Sequence, residues 1–294
     1  HGVEYAKWPA VESLMMIFPH LKPEPQIQVL SFICDLAATR ESRNQILRSK
    51  SILRSVSQAA KSKRATAVTL QHIARFISLV VAGELPPDVN ILKKTLPTIR
   101  TVLSRCGPDG QAETTESVLR ALIHLCKDDT VVDNIFLNIR IEDVYALLRH
   151  ANKAVASTAG KLCKSYTCGS NVRGYQFVSG SGFRTLLGAV ANVATADRTL
   201  LATTVDLIQS LSRSRQLQKP VLELVLEAND GQFLPALVRH KVVSGEDFVY
   251  LLARIVHVKE GANYVAASRA VFWHLLGMLK STEPQIVDST LDCL

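Results

Sequence analysis

Aromatic residues make up only 6% of this 294-residue chain, and no stretch alternates apolar with polar residues in strict period two for long. A half-buried strand needs that alternation, and a hairpin needs an Asn-Gly or Asp-Gly turn between two such runs, which is absent; no sheet is expected. No apolar run approaches the roughly 18 residues of a membrane span; the stretch Phe76 to Gly83 is among the longest. The beginning, HGVEYAKWPAVE, lacks the continuous apolar core of a secretory leader. The cysteines, Cys34, Cys106, Cys126, Cys163, Cys168 and Cys293, are scattered and fall mostly in apolar helical stripes. That is the usage of a reducing compartment, so a cytoplasmic protein is expected. Cys163 and Cys168, the closest pair, have four residues between them and no second pair or histidine couple at zinc spacing. Buried free cysteine is commonly just a small hydrophobe, and neither a metal nor a cofactor is expected.

Catalytic constellations are missing too. The histidines form no HExxH or HxE grouping. Gly180-Ser181-Gly182 follows a short helix, not a strand, and has no third glycine and no GKS or GKT ending, so it is expected to be a helix-to-helix turn in which glycine supplies positive φ. The Gly-x-Ser-x-Gly spacing of a nucleophile elbow is absent around Ser179. Asp128 with Asp129, and Glu246 with Asp247, stand at expected helix boundaries, where carboxylates cap an end or oppose the helix dipole. No nucleophile, base and orienting group fall in register, and a non-enzyme is expected.

What the chain does contain is 47% hydrophobic residues, led by Leu, Ile, Val and Ala, and the same three-helix sentence written about seven times. Its clearest copy reads NVRGYQFVSGS, GFRTLLGAVANVA and DRTLLATTVDLIQSLSRS between Asn171 and Ser214. First helices align at Arg43, Asp88, Val132, Asn171, Lys219 and Ala262, in steps of 45, 44, 39, 48 and 43 residues. A period of this size marks a stacked solenoid whose units cannot bury their apolar faces alone. With Leu96-Pro97-Thr98-Ile99 and Gly231-Gln232-Phe233-Leu234-Pro235-Ala236-Leu237 as openings of second helices, similar to a Gly-x-x-Pro-x-Leu pattern, the whole chain resembles the armadillo family. Both prolines are expected in a first turn, where no amide is needed.

The fold expected is therefore all-α, a right-handed superhelical solenoid of about seven armadillo-like three-helix repeats forming one domain, 1–294. Its units lie near 1–42, 43–87, 88–131, 132–170, 171–218, 219–261 and 262–294. The softest connections are expected at Gly83 to Pro87, Gly107 to Gly110 and Ser165 to Ser170. The start at His1 and the apolar end of PQIVDSTLDCL read as a piece cut from a longer array.

In an armadillo stack the third helices form the concave wall, so this resemblance points to a binding ladder. The family's groove-asparagine position is occupied by Asp35, Arg75, His124, Lys164, Ser210 and His257, and the position one turn earlier includes Gln71, Arg120 and Asp206. Importin-α-like proteins clamp basic peptides with tryptophan and asparagine at these two rows, and neither residue stands there in this chain. Trp8 and Trp273 fall in second helices, where packed rings are expected. Arg75, Arg120, His124 and Lys164 give the ladder an electropositive middle.

A second feature is a basic run. Arg40, Arg43, Arg48, Lys50, Arg54, Lys61, Lys63 and Arg64 oppose the single acid Glu41, so this stretch carries +7 of the chain's formal +8. Such a run either faces solvent or attracts anions such as acidic protein segments and headgroups. It has no aromatic residue for base stacking, which argues against nucleic acid. The sequence is that of a protein-binding scaffold or co-chaperone, with a transport adaptor or an enzyme-regulatory subunit as the alternatives. It further resembles the UCS family of myosin chaperones, whose client-binding regions are armadillo arrays; that resemblance implies a myosin motor domain as client.

Overall fold

Third helices are readable from their burial. Leu30, Ile33, Cys34 and Ala37 repeat at i, i+3, i+4 and i+7; so do Leu70, Ile73, Ala74 and Ile77, then Val118, Ala121, Leu122 and Leu125, and then Phe248, Leu251, Leu252 and Ile255. One stripe of each helix is thereby committed to the interior. The computed structural model describes residues 8–82, 89–106, 111–240, 245–256 and 259–294, with every side chain among them except those of 50, 89–94, 240, 245–247 and 259–260.

Among the described residues there are nineteen α-helices and no strand. In chain order they fall into triplets. The first repeat holds α1 (Trp8–Ile17) and α2 (Pro23–Ala37), joined by a 3-10 turn, Phe18–His20. Next come α3 (Arg40–Arg48), α4 (Lys50–Lys61) and α5 (Ala67–Val81), then α6 (Val89–Cys106) and α7 (Ala112–Leu125). These are followed by α8 (Asp129–Asn138), α9 (Ile141–Leu147) and α10 (Lys153–Thr167), and by α11 (Asn171–Ser179), α12 (Gly182–Ala189) and α13 (Arg198–Ser212). The last triplets are α14 (Arg215–Glu227), α15 (Phe233–His240) and α16 (Gly245–Val256), and α17 (Lys259–Ala267), α18 (Arg269–Met278) and α19 (Pro284–Leu291).

Helix contacts group the chain into two units, 1–143 and 144–294. In each unit a helix packs on its counterpart from the neighbouring repeat. Third helices run α2 on α5 on α7 in the first unit and α10 on α13 on α16 on α19 in the second. Second helices pair α1 on α4 on α6, and α15 on α18; first helices run α11 on α14 on α17. Rows of equivalent helices are what makes each unit an all-α solenoid.

Helix starts are set by short polar side chains. Thr39, Ser49, Thr66, Asn152, Ser170 and Asp197 each accept a backbone N–H of the first turn. Asp128 caps α8 as its position implied, accepting from the Thr130 amide at 3.0 Å and the Thr130 hydroxyl at 2.6 Å, and these bonds lower its pKa. Glu246 and Asp247 lie in the first turn of α16, with side chains outside the described set, as are residues 83–87 and 107–110.

Three local expectations are corrected. Pro97 is not in a first turn: first and second helices of its repeat merge into the continuous α6, and the proline sits inside it. It is exposed and has no N–H to donate, so the carbonyl one turn earlier loses its helical partner. Pro235, by contrast, does lie in the first turn of α15. Gly180 has φ −80, not a positive value. The glycine that the segment needs is Gly182, where a Cβ would lie 2.5 Å from the Phe177 ring and 2.6 Å from Tyr145, in an edge-on cluster with Phe183. Trp273 is 61% exposed and not packed, while Trp8 is half-buried.

Helix ends are closed by arginines. Arg173 of α11, only 4% exposed, donates from Nε to the Tyr166 carbonyl at 2.6 Å and from Nη2 to the Cys168 carbonyl at 3.0 Å, covering the C-terminus of α10. Arg105 of α6 donates from Nη1 to the carbonyls of Ala60 and Ser62 at 2.7 Å and from Nη2 to Ala65 at 3.2 Å, closing the end of α4. Arg254 of α16 reaches the Ser212 carbonyl on α13 at 3.4 Å. A guanidinium suits this use because its fork of donors meets several unpaired carbonyls at the negative end of a helix dipole.

Replacing Arg173 with Met should therefore cost about 2–4 kcal/mol, because two buried charge-assisted bonds are lost and two carbonyls are stranded. Val172→Ala, on the exposed side of the same helix, should stay within about 0.5 kcal/mol. Urea denaturation followed by circular dichroism measures both, and equal midpoints for Arg173→Met and wild type would refute the cap.

Candidate functional site

The ladder residues sit where the buried stripe of each third helix leaves its opposite edge. Asp35, Arg75, Arg120, Asp206 and Ser210 are exposed, while Gln71, His124 and Lys164 are half-buried. Their neighbours in sequence, Cys34 and Leu36, Ala74 and Phe76, Leu119 and Ala121, or Val205 and Leu207, are buried. In the first unit the structure brings Asp35, Gln71, Arg75, Arg120 and His124 onto the row α2, α5, α7; in the second it places Lys164, Asp206 and Ser210 on α10 and α13. His257 lies outside the described residues.

Polar bonds connect adjacent helices along these rows. The Gln71 amide on α5 donates to the Glu113 carboxylate on α7, and the Lys164 ammonium on α10 pairs with the Asp206 carboxylate on α13. Both bonds span 42 residues, one repeat. Arg120 pairs with Glu116 one turn earlier on its own helix, with Nη2 and Nε at 2.6 and 3.0 Å from the same oxygen. Two of the four cations read as an electropositive middle are thus matched by carboxylates. Glu113 and Glu116, which bring the rows toward balance, escaped sequence reasoning because they precede the aligned positions by a turn or more.

His124 is the exception in character. Its Nδ1 is buried without a hydrogen-bond partner, and desolvation, followed by the charges of Lys127 and Arg120, holds its pKa below the ordinary 6.5. The folded chain resists protonating it more than the unfolded chain does. Its contribution to stability is therefore complete above pH 6.5 and is lost as pH falls below that value.

The basic run divides between layers. Arg40, Arg43 and Arg48 belong to α3, and Arg40 is engaged by other groups. Arg43 is half-buried with Nε unpartnered, and Arg48 is exposed. Lys50, Arg54 and Lys61 belong to α4, and Lys63 with Arg64 to the turn after it; all but Lys50, whose side chain is not described, are exposed. Arg105, tied to the same turn, and Arg100, exposed on α6, extend the charge beyond the run. Sequence order hid these two, since the packing of α4 on α6 makes them neighbours of the run.

Among the described residues no cluster of three or more His, Cys, Asp or Glu could hold a metal. An open cavity of about 270 Å³ beside α12 and the end of α14 is walled by Leu187, Gly188 and Leu224, with Arg184 and Glu227 as its charged groups and no nucleophile. Burial pushes the thiols of Cys34 and Cys163 up to about 12 and that of Cys293 up to about 11. No described helix is long and apolar enough to cross a membrane.

No protein-family model matches the chain, and none of the curated proteins does. Among solved structures it is similar to an engineered protein (TM-score 0.71, 15% identity, 96% of this chain and 67% of that one). It is also similar to a designed armadillo repeat protein (TM-score 0.60, 10% identity, 96% and 97%). A third likeness is to UNC-45 from Drosophila melanogaster (TM-score 0.56, 15% identity), covering 98% of this chain and 36% of that protein. These likenesses show the fold, an armadillo-type helical repeat.

Two outcomes are expected. Ellman's reagent should modify exposed Cys168 rapidly, with Cys34, Cys163 and Cys293 slower on the order of 100-fold or more, because thiolate fraction and access both fall on burial; mass mapping of labelled peptides checks the order. The loss of stability from about pH 7.5 to about pH 5.5 should shrink in His124→Gln, read as the shift of the urea midpoint, since the buried titrating group is gone; an unchanged shift would refute the assignment.

Proposed function

We propose that this chain is a non-enzymatic scaffold that holds a protein client on the exposed side of its third-helix rows, with residues 1–294 acting as one array. The observation that carries this reading is the recurrence of exposed polar side chains at equivalent places on successive helices, with Gln71 to Glu113 and Lys164 to Asp206 fixing neighbouring helices in register. Side chains so held present donors and acceptors at low entropic cost on binding. A repeat stack spreads them over a long surface, which suits an extended or folded polypeptide better than a small molecule. The armadillo-type fold, shared with designed repeat proteins and UNC-45, supports a binding role.

Within that class we favour a co-chaperone of the UCS kind, acting in the cytoplasm on a myosin motor domain. The fold likeness to UNC-45 over 36% of that protein's length motivates the client. The mechanism needs no nucleotide cycle: client surface exposed by partial unfolding is covered by the rows, and release follows refolding. Asp35, Gln71, Arg75, Arg120, His124, Lys164, Asp206, Ser210 and His257 are the contact residues of this proposal.

Purified chain added to a myosin motor domain during heating should suppress light scattering without added nucleotide. Arg120→Glu and Lys164→Glu should each lower that protection several-fold while leaving the fold within about 1 kcal/mol, since exposed ion pairs contribute little. Protection unaffected by both substitutions would remove the rows from the mechanism. An absence of protection and of co-sedimentation would remove myosin as client.

A further inference from the structure

Two cations of the third-helix rows, Arg120 and Lys164, are matched by carboxylates, whereas no described cation on the second-helix row of the first unit is. On α4 the exposed residues Arg54, Gln58 and Lys61 recur at i, i+4 and i+7; on the adjacent α6, Pro97, Arg100 and Ser104 recur at i, i+3 and i+7. The turn between α4 and α5 adds exposed Lys63 and Arg64, and Arg105 clamps that turn through the carbonyls of Ala60, Ser62 and Ala65. Among the described residues Arg54, Lys61, Lys63, Arg64 and Arg100 have no carboxylate within ion-pair reach. Acids on the helices packed against α4 and α6 do exist. Glu12 on α1 accepts from the Ser49 hydroxyl at 2.7 Å, Glu41 lies on α3, Glu113 and Glu116 on α7 are engaged by Gln71 and Arg120, and Asp129 and Asp133 on α8 have partners of their own.

We infer that this face, Arg54, Lys61, Lys63, Arg64 and Arg100 with the turn fixed by Arg105, is a second docking surface, for a short acidic polypeptide segment of another protein. Charge complementarity selects an anion. Size selects a segment: seven residues of α4 span about 10 Å, and two packed helices lie about 8–10 Å apart, so roughly five extended residues cover the face. Chemistry narrows it further. None of the described residues of α4 and α6 is an exposed large hydrophobic side chain or an aromatic, so the face offers a bilayer nothing to insert and a base nothing to stack on. The chain supplies no run of acids that could fold back onto it, its longest acidic sequences being the pairs Asp128-Asp129, Glu142-Asp143 and Glu246-Asp247.

The test uses a fluorescein-labelled peptide of alternating Glu and Asp, its Gln and Asn counterpart, vesicles rich in phosphatidylserine, and an oligothymidylate. Fluorescence anisotropy should show binding of the acidic peptide and not of the amide peptide, weakening about tenfold or more as salt rises from about 0.05 to about 0.5 M. Arg54→Gln with Arg100→Gln should weaken it about tenfold, as should Lys61→Glu with Lys63→Glu and Arg64→Glu, whereas Lys161→Glu with Lys280→Glu should change nothing. The two glutamine substitutions are on exposed sites and keep the test valid if the triple reversal fails to fold. Binding that is insensitive to Arg54→Gln with Arg100→Gln, absent for the acidic peptide, or stronger for vesicles or the oligonucleotide would overturn the assignment. Because Arg120→Glu and Lys164→Glu should leave peptide binding intact, failure here is distinguishable from failure of the client-holding rows.

Discussion

Within each unit the third helices are buried by their counterparts one repeat along, and almost everything else in the structure depends on that side-by-side contact. A helix such as α5, with Leu70, Ile73, Ala74 and Ile77 on one stripe, cannot satisfy its apolar face within its own triplet; α2 on one side and α7 on the other complete it. At about 1.5–3 kcal/mol for each fully buried aliphatic side chain, that stripe outweighs any polar contact on the opposite edge. The consequence is a division of labour inside each helix. Residues at the stripe are fixed by packing, and residues one position away, such as Arg75 between Ala74 and Phe76, are released for other uses.

Polar chemistry is then applied at two kinds of place. At helix ends, Arg105, Arg173 and Arg254 gather carbonyls that would otherwise be stranded, and in all three cases the arginine belongs to the repeat after the helix it closes. On the exposed edges, Gln71 with Glu113 and Lys164 with Asp206 connect neighbouring third helices at the same offset of 42 residues. Of the first kind, Arg173 is buried and Arg254 half-buried, and both contribute to stability, while Arg105 is exposed and fixes a turn. The second is solvated and contributes chiefly to the pattern displayed.

Much of this was legible in the sequence for a plain reason: a repeat states its apolar period several times, so errors in one copy are corrected by the others. The copy at Asn171 to Ser214 gave α11 and α13 nearly to the residue, with Asp197 and Ser170 in their capping places. The merger of first and second helices into α6 was not legible, because Leu96-Pro97-Thr98-Ile99 fits a helix opening and a helix interior equally well unless the chain before it is known to be helical. The charge balance of the ladder was hidden as well. Glu116 neutralises Arg120 through a turn of helix and Asp206 reaches Lys164 across a repeat, and a column of aligned positions shows neither distance. Arg100 and Arg105 joined the basic face only through the packing of α4 on α6.

The turn between α14 and α15 places three consecutive residues, Asn229, Asp230 and Gly231, at positive φ of 54, 52 and 75. Two of the three are not glycine, and a left-handed run of that kind is thinly populated in a free chain. What holds it is partly the Tyr264 hydroxyl, donated to the Gly231 carbonyl from α17 of the next repeat. The repeat is therefore completed by its successor: until α17 docks, a nascent chain holds this corner only by its own bonds, Gln232 N–H to the Asn229 carbonyl and Phe233 N–H to the Ala228 carbonyl, without the clasp that Tyr264 adds.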